Sequence, residues 1–293
     1  MNEKTYHFID DGSLSESIEK SASLTKMTVT IQEDLSNAAN DNYGCYTWIC
    51  APVLAQFVWH RRRLLKGRRV LEIGAGAALP GIVAGLCGDV SSLTFADSQV
   101  FHPVALRLSR RNADANGLER ARVIDVTWGL VGPEMMDISV SSSSGYDVIL
   151  ASDCFYDTHN FEDVVFTIAT LLQLSQRTCS PTTVSTSDSL GTSPTPERER
   201  SLTPSHARDH VSQTRSTDSR PPELWMTYQE RSSGRSIRHL LEKYGLTCVE
   251  EISWTEFYES NLSEMEKANL KWLNQHHQIH SVWILVIRGD AFN

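Results

Sequence analysis

A Gly-x-Gly pair follows a short apolar stretch in the run VLEIGAG at residues 70–76. Gly74 and Gly76 let the backbone turn tightly and approach a ligand that a Cβ atom would hold away. A dinucleotide-binding fingerprint needs a third glycine where Leu79 stands, so the run favours a cofactor without a pyrophosphate. A packing turn that binds no ligand is the alternative interpretation.

Asp97 is the first carboxylate that could bind the same ligand. It ends the next predicted strand, about 20 residues after Gly76, where a carboxylate suits the hydroxyls of a ribose. Glu72, inside the strand before the glycine turn, supplies a second acid for the hydroxyls or ammonium group of such a cofactor. An ordinary aspartate at a strand end is the alternative for Asp97.

A second polar group, ASDCFY at residues 151–156, follows a later apolar strand. In open α/β sheets, ligands bind at the carboxyl ends of strands near the switch in strand order. Asp153 and Tyr156 are therefore expected beside the glycine turn. Asp153 could instead cap the next helix. The periodic stretch that predicts this helix begins only at Phe161, which places Asp153 in a loop, where functional residues concentrate.

Two tryptophans, each next to a predicted helix or strand, add aromatic surface. Trp48 precedes the first predicted helix and Trp128 follows a predicted strand, so either ring could cover a purine or a sulfonium cation. A single tryptophan is more often part of the core. His276, His277 and His280 have a loose metal-like spacing, but no nearby cysteine supports a site, and no metal is predicted.

The composition excludes several classes of protein. With 27 Lys and Arg against 36 Asp and Glu, the net charge of −9 argues against nucleic-acid binding through overall charge. No apolar run reaches the ~18 residues of a membrane span, and the amino-terminal residues lack the apolar region of a secretion signal. The six cysteines are scattered singly, which is typical of reduced thiols in a cytosolic or nuclear protein.

Two stretches have compositions that predict disorder. Residues 1–26 are polar and aperiodic, and we expect a disordered leader there. More than half of residues 175–222 are Ser, Thr or Pro, which predicts a disordered insertion in a loop. Its Ser-Pro and Thr-Pro steps could be phosphorylated, and a neutral spacer is the alternative. Residues 27–293, apart from this insertion, are predicted to form one domain.

The rest of the chain alternates strand and helix patterns, as an α/β sheet requires. The fold class predicted is a doubly wound, seven-stranded Rossmann-like sheet with helices on both faces. Strands of this sheet are predicted at 69–73, 93–96, 123–126, 148–151, 224–228, 247–252 and 282–287, and a short strand or hairpin arm is predicted at 26–33. Helices are predicted at 46–65, 81–87, 101–115, 161–172, 232–244 and 263–273.

Taken together, these runs identify a family resemblance. EIGAG at 72–76 with Asp97, TWG at 127–129 and ASD at 151–153 resembles the methyltransferase-like superfamily of seven-stranded S-adenosylmethionine-dependent protein methyltransferases. The hallmark of that family after its fourth strand, Asp-x-x-Tyr/Phe, is met by DCFY at 153–156. The resemblance covers about residues 27–288, apart from the insertion.

The resemblance implies a set of site residues. S-adenosylmethionine would be held by Trp48, Glu72, Gly74, Ala75, Gly76, Asp97, Trp128 and Ala151, whereas Asp153 and Tyr156 would face the substrate nitrogen. Many relatives have an aspartate where Thr127 stands. An adenine contact made by that carboxylate would therefore be weaker or supplied differently here.

The resemblance also implies a protein substrate. Arginine in a histone tail is favoured, in chromatin or transcription regulation, because Asp153 could hold a guanidinium bidentately. A neighbouring carboxylate would hinder the deprotonation that lysine needs. Lysine methylation of a chaperone or another non-histone protein stays open, as do a catalytically silent cofactor-binding interaction module and a nicotinamide oxidoreductase. We expect a nuclear and cytoplasmic protein, with neither direct nucleic-acid binding nor a membrane association.

Overall fold

A computed structural model describes residues 2–10, 25–34, 43–140, 145–179, 220–231, 236–276 and 281–290. The strands are β1 (Asn2–Ile9), β2 (Lys26–Glu33), β3 (Arg69–Ile73), β4 (Ser92–Asp97), β5 (Arg122–Asp125), β6 (Val148–Ser152), β7 (Glu223–Gln229), β8 (Leu246–Ser253) and β9 (Val282–Gly289). The helices are α1 (Cys50–His60), α2 (Leu79–Cys87), α3 (Pro103–Ala115), α4 (Pro133–Val140), α5 (Phe161–Cys179), α6 (Arg238–Lys243), α7 (Trp254–Asn261) and α8 (Glu264–His276).

Seven of these strands form one sheet in the order β5-β4-β3-β6-β7-β9-β8. The five strands from β5 to β7 are parallel, whereas β9 runs antiparallel to both β7 and β8. The predicted seven-stranded α/β fold is confirmed.

The sheet is covered by helices on both faces, because each parallel strand points alternate side chains to opposite sides. In β3, Val70 packs in the core that α1 and α2 cover, whereas Leu71 and Ile73 pack in the core that contains Ile168 of α5. All three β3 side chains are fully buried.

The order of the strands reverses at β3. Along the chain the sheet grows from β3 through β4 to β5 on one side, and then returns to add β6 on the other side. Ile73, at the end of β3, pairs with Ala96 of β4 and with Ala151 of β6. The loops after β3, β4 and β6 consequently leave the sheet side by side, where a doubly wound sheet binds its ligand.

The prediction of a disordered leader over residues 1–26 is wrong for Asn2–Ile9. These residues form β1, which pairs antiparallel with β2 from Asn2–Glu33 to Ile9–Lys26. Tyr6 and Phe8 alternate with exposed residues, and both are buried against the core that α1 covers. The alternation is short and has a polar beginning, which explains why the composition concealed it. Residues 11–24 lie outside the described residues.

The predicted insertion begins too early at Ser175. Helix α5 continues to Cys179, and Ser175 is fully buried on it, where its Oγ accepts the Tyr146 N–H at 3.0 Å. Buried helical residues can be serines when the hydroxyl has a partner, so composition alone misplaced this boundary. Residues 180–219 of the insertion lie outside the described residues, as do His277 and His280.

Helices α4 and α7 are two elements that the sequence patterns did not predict. Helix α7 begins where Ser253 Oγ accepts the Glu256 N–H at 3.1 Å, a typical helix N-cap. No described helix combines the length and apolar character that crossing a membrane would need.

We expect the amino-terminal strand to contribute to global stability. Phe8 is 2% exposed and its ring lies 5.9 Å from that of Trp59, so Phe8→Ala leaves a cavity in the core. We predict a loss of about 3 to 5 kcal/mol in the free energy of unfolding, measured by urea denaturation. Thr5→Ala, at an exposed position of the same strand, is the control. Equal stability of the two variants would show that β1 is not part of the fold.

Candidate active site

The switch in strand order opens a cleft of about 310 Å³ between the loops that follow β3, β4, β5, β6 and β7. Six of the ten predicted site residues line it, namely Trp48, Gly74, Asp97, Trp128, Asp153 and Tyr156. Its walls also include Gly44, His102, Ser152, Cys154 and Arg231. The cleft therefore unites the glycine turn with the acceptor residues that the sequence placed far apart.

The glycine turn after β3 requires left-handed backbone. Gly74 and Gly76 have φ values of +56° and +52°, which favour glycine. Gly76 does not line the cleft: a Cβ atom there would lie 2.6 Å from the carbonyl oxygen of Gly44. The space that Gly76 leaves is filled by the chain itself, whereas Gly74 borders the cleft, where a Cβ atom would lie 3.1 Å from the Trp128 ring.

Asp97 fixes the glycine turn against β4. Its Oδ2 accepts the Gly76 N–H at 3.0 Å, and its Oδ1 accepts the Ser98 N–H at 2.8 Å. Burial raises the pKa of Asp97, while the two N–H donors act in the opposite direction. Each oxygen has a second lone pair, so Asp97 can still accept ligand hydroxyls on the cleft wall.

Glu72 lies below the glycine turn and does not line the cleft. The side chain is fully buried, and Oε2 accepts the Gly81 N–H in the first turn of α2 at 2.9 Å. Burial raises the pKa of Glu72 to about 8, despite this hydrogen bond. Through this hydrogen bond, Glu72 connects β3 to α2 across the glycine turn. A direct contact between Glu72 and a cofactor stays a prediction.

Ala75 and Ala151 also stand behind the wall of the cleft. The Ala75 N–H donates to the carbonyl of Ala96 at 3.0 Å, which ties the turn to β4. Ala151 is fully buried in β6, opposite Ile73 of β3. Both residues support the residues that line the cleft. Their contacts with a cofactor stay a prediction.

The amino-terminal hairpin holds the loop that carries Trp48. Glu33, at the end of β2, is fully buried; its Oε1 accepts the Thr47 N–H at 2.8 Å and lies 2.9 Å from Nζ of Lys4 in β1. The Lys4 ammonium also lies 4.2 Å from the centre of the Tyr46 ring, which packs edge-on against Trp48. The segment predicted to be a leader thus supports the loop that places Trp48 at the cleft.

Two aromatic rings close the opposite side of the cleft. Trp128 and Tyr156 lie 6.1 Å apart between ring centres. Burial raises the pKa of Tyr156 to about 12, so its hydroxyl is protonated at neutral pH. Thr127, where the family resemblance leads one to expect an aspartate, has an uncharged hydroxyl that shares a 2.8 Å hydrogen bond with that of Ser98.

Asp153 is held at the bottom of the cleft in an uncommon conformation. Its φ of +54° is rare for a residue with a side chain, and its N–H donates to the carbonyl of Thr227 at 3.1 Å. Oδ2 accepts a hydrogen bond from Arg231 at 2.6 Å. Oδ1 is buried and has no hydrogen-bond partner among the described residues. Arg231 thus holds one oxygen of Asp153, and the bidentate contact with a substrate guanidinium stays a prediction.

Sequence reasoning missed Arg231 as a site residue. Arg231 lies in the run TYQERS at residues 227–232, and nothing in its spacing connects it with Asp153, which is 78 residues away. The missing information was that β7 is the neighbour of β6, with Ser152 opposite Thr227. A basic residue two positions after a buried strand at this edge was the available signal.

The cleft fits a ligand that carries both positive charge and polar groups. Asp97 and Asp153 offer buried carboxylates, and the Trp128 face can pack on a cation. Nδ1 of His102 and Oδ1 of Asp153 are both buried without a partner in the described part of the chain, so bound atoms can satisfy them. No group of three or more His, Cys, Asp or Glu side chains in the described residues could hold a metal.

Comparison with known proteins decides the family. A family model described as Lysine methyltransferase matches residues 23–186, more than half of the chain. The chain belongs to this family of S-adenosylmethionine-dependent protein methyltransferases.

Individual relatives differ in the residue that they are named for. The chain is 34% identical over 224 residues to histone-arginine methyltransferase METTL23 of Xenopus laevis. These residues make up 76% of this chain and 72% of that protein. It is 32% identical to METTL23 of Homo sapiens, over 70% of this chain and 80% of the relative. Protein N-lysine methyltransferase METTL21A of Danio rerio is 35% identical over 41% of this chain and 52% of its own length.

The glycine turn of this methyltransferase provides a matched pair of variants. In Gly76→Ala the new Cβ atom would meet the Gly44 carbonyl at 2.6 Å, so the turn and the Trp48 loop must move apart. We expect affinity for S-adenosylmethionine to fall at least about tenfold, measured by calorimetry, because the turn is displaced from Asp97. The matched control is Gly117→Ala, because Gly117 also has a positive φ but a Cβ atom there would meet no atom within 4 Å. Unchanged affinity in Gly76→Ala would contradict the assignment.

Glu72 makes the stability of this methyltransferase depend on pH. Folding raises the pKa of Glu72 to about 8. Between about pH 5 and pH 8, Glu72 therefore keeps its proton in the folded protein, whereas the unfolded chain has released it. The free energy of unfolding should then fall as the pH rises from about 5 to about 8. In Glu72→Gln this fall should be smaller, as followed by urea denaturation, whereas the exposed Glu119→Gln should behave like the natural chain. An equal fall in all three would refute this.

Proposed function

We propose that this methyltransferase transfers a methyl group from S-adenosylmethionine to an arginine side chain in a histone tail. The observation that carries the proposal is the position of Asp153, a buried carboxylate with an unpartnered oxygen, on the wall of the same cleft as Gly74 and Asp97. The histone-arginine name of two relatives at 34% and 32% identity supports it.

The cofactor supplies a methyl group already activated on a sulfonium, so the protein needs neither a metal nor a covalent nucleophile. The chain's task is to bind, orient and exclude water. Asp97 would accept the ribose hydroxyls, Gly74 would border the methionyl part, and Trp48 and Trp128 would cover the cofactor. Cys154 is unsuited to act as a nucleophile, because burial raises the pKa of its thiol.

The acceptor nitrogen would lie against Asp153. A guanidinium keeps its positive charge well above neutral pH, and a carboxylate that accepts its N–H group draws it into place. Through Oδ1 alone, Asp153 would direct one nitrogen toward the cofactor. Tyr156 lines the same cleft with a protonated hydroxyl and would face the acceptor nitrogen beside Asp153.

A lysine acceptor in a chaperone or another non-histone protein is the second candidate. The description of the family and the lysine-specific name of the Danio rerio relative favour it. A lysine must lose a proton before it attacks, from a pKa near ~10.4, and the negative charge of Asp153 opposes this loss. A chain that binds the cofactor and transfers nothing would be an interaction module instead.

The proposal extends to the place of action. A histone substrate agrees with a protein of the nucleus and cytoplasm that acts in chromatin regulation. Fluorescence imaging of the tagged full chain in cells tests this part independently, and exclusion from the nucleus would contradict it.

The decisive experiment removes one charge at Asp153. In Asp153→Asn we expect transfer from radiolabelled S-adenosylmethionine to purified histones to fall at least about a hundredfold, because the acceptor loses its charged partner. Cofactor affinity should stay within about threefold in calorimetry, since Asp153 faces the acceptor. Asp157→Asn, four residues further along and partly exposed, is the matched control and should keep full activity.

Mass spectrometry of the labelled histone identifies the modified side chain. Methylarginine supports the proposal, and methyllysine would transfer it to the second candidate. Normal turnover by Asp153→Asn would overturn the assignment of Asp153. Cofactor binding without transfer to any histone or cell extract would support the interaction module.

A further inference from the structure

Arg231 is a second charged group at the acceptor position of the cleft. It follows β7, and its Nη2 donates to Asp153 Oδ2 at 2.6 Å, while Nη1 lies 3.5 Å from the carbonyl of Phe155. The Asp153 side chain is only 6% exposed, against 35% for Arg231. The cleft thus contains a guanidinium from the chain itself, on the carboxylate proposed to hold the acceptor.

The contact makes the two oxygens of Asp153 unequal. Oδ2 is held by Arg231, and Oδ1 is buried without a partner in the described part of the chain. The backbone leaves little freedom to exchange them, because the Asp153 N–H is fixed to Thr227 and its φ is +54°. The Asp153 carboxylate is therefore held in one orientation on the wall of the cleft.

The contact with Arg231 also affects the pKa of the Asp153 carboxyl group. Burial raises the pKa of Asp153, whereas the Arg231 hydrogen bond and charge, together with the Cys50 thiol, act in the opposite direction. The pKa of Asp153 would therefore rise further without Arg231, because the ion pair partly offsets the effect of burial.

We propose that Arg231 is a positioning residue for methyl transfer: it holds Oδ2 of Asp153 so that Oδ1 is the one oxygen that accepts the N–H of the incoming side chain. This inference rests on the proposed function, because it takes Asp153 as the residue that orients the acceptor. Arg231 acts through Asp153 and stays in place when the substrate binds.

Two other roles for Arg231 would give different results when the residue is removed. If Arg231 were a plug that imitates a substrate arginine, the substrate would have to displace it from Asp153. Removing Arg231 would then raise turnover and lower the KM for the histone. If Arg231 only stabilised the fold, its removal would lower the thermal midpoint, and added small molecules would restore nothing.

The test compares Arg231→Ala, Arg231→Lys and the control Arg238→Ala in the full chain, with purified histone and S-adenosylmethionine. Arg238 is an exposed arginine, paired with Glu251 on the surface. For Arg231→Ala we expect kcat to fall about a hundredfold, with an unchanged KM for the cofactor. Arg231→Lys should recover part of this loss, because the ammonium can still donate to Oδ2. Arg238→Ala should keep the natural kcat.

Chemical rescue separates positioning from folding. Methylguanidine, added well below denaturing concentrations, should restore part of the kcat of Arg231→Ala and none of that of Asp153→Asn. Higher turnover in Arg231→Ala would establish the plug and overturn the proposal. Loss of activity without rescue, in a chain with a lowered thermal midpoint, would overturn it in favour of a structural contact.

The failure of this proposal and of the proposed function give different results. If Asp153→Asn is inactive while Arg231→Ala turns over normally, Asp153 orients the acceptor without help and only the inference on Arg231 fails. If Asp153→Asn transfers methyl groups normally, the proposed function itself fails.

Discussion

Two carboxylates must be buried at one edge of the sheet, and the architecture of the site follows from how each is compensated. Burying a carboxylate without partners costs several kcal/mol or shifts its protonation. Asp97 is compensated by the N–H groups of Gly76 and Ser98, and Asp153 by Arg231. The first solution uses backbone geometry and leaves lone pairs for hydroxyls. The second uses a side-chain cation and leaves one oxygen for an incoming donor.

Each compensation requires distant parts of the chain to be in register. Gly76 reaches Asp97 only because its missing Cβ lets the Gly44 carbonyl approach, and the loop that contains Gly44 continues to Thr47, which the hairpin residue Glu33 holds. The amino-terminal strand, the glycine turn and the end of β4 thereby form one connected support. The hairpin and the glycine turn are therefore connected through the loop at residues 44–47.

Periodicity and glycine spacing made the sheet predictable from sequence, because buried parallel strands are short apolar runs with clear ends. The same ends located Asp97 and Asp153. The strand β1 could not be predicted from its polar composition, since its stability comes from Trp59 and from pairing with β2. Arg231 could not be assigned either, because its partner is set by the β6–β7 pairing and by the left-handed backbone at Asp153, which are tertiary properties.

We propose that the methyl donor and its acceptor meet in the cleft at the switch in strand order. The test is a crystal structure of the full chain with S-adenosylhomocysteine and an arginine-containing histone peptide. We expect ribose hydroxyls on Asp97 and the cofactor sulfur in line with an arginine nitrogen that donates to Asp153 Oδ1, with Arg231 still on Oδ2. An arginine bound away from Asp153, or a cofactor outside the wall formed by Gly74 and Trp128, would contradict it.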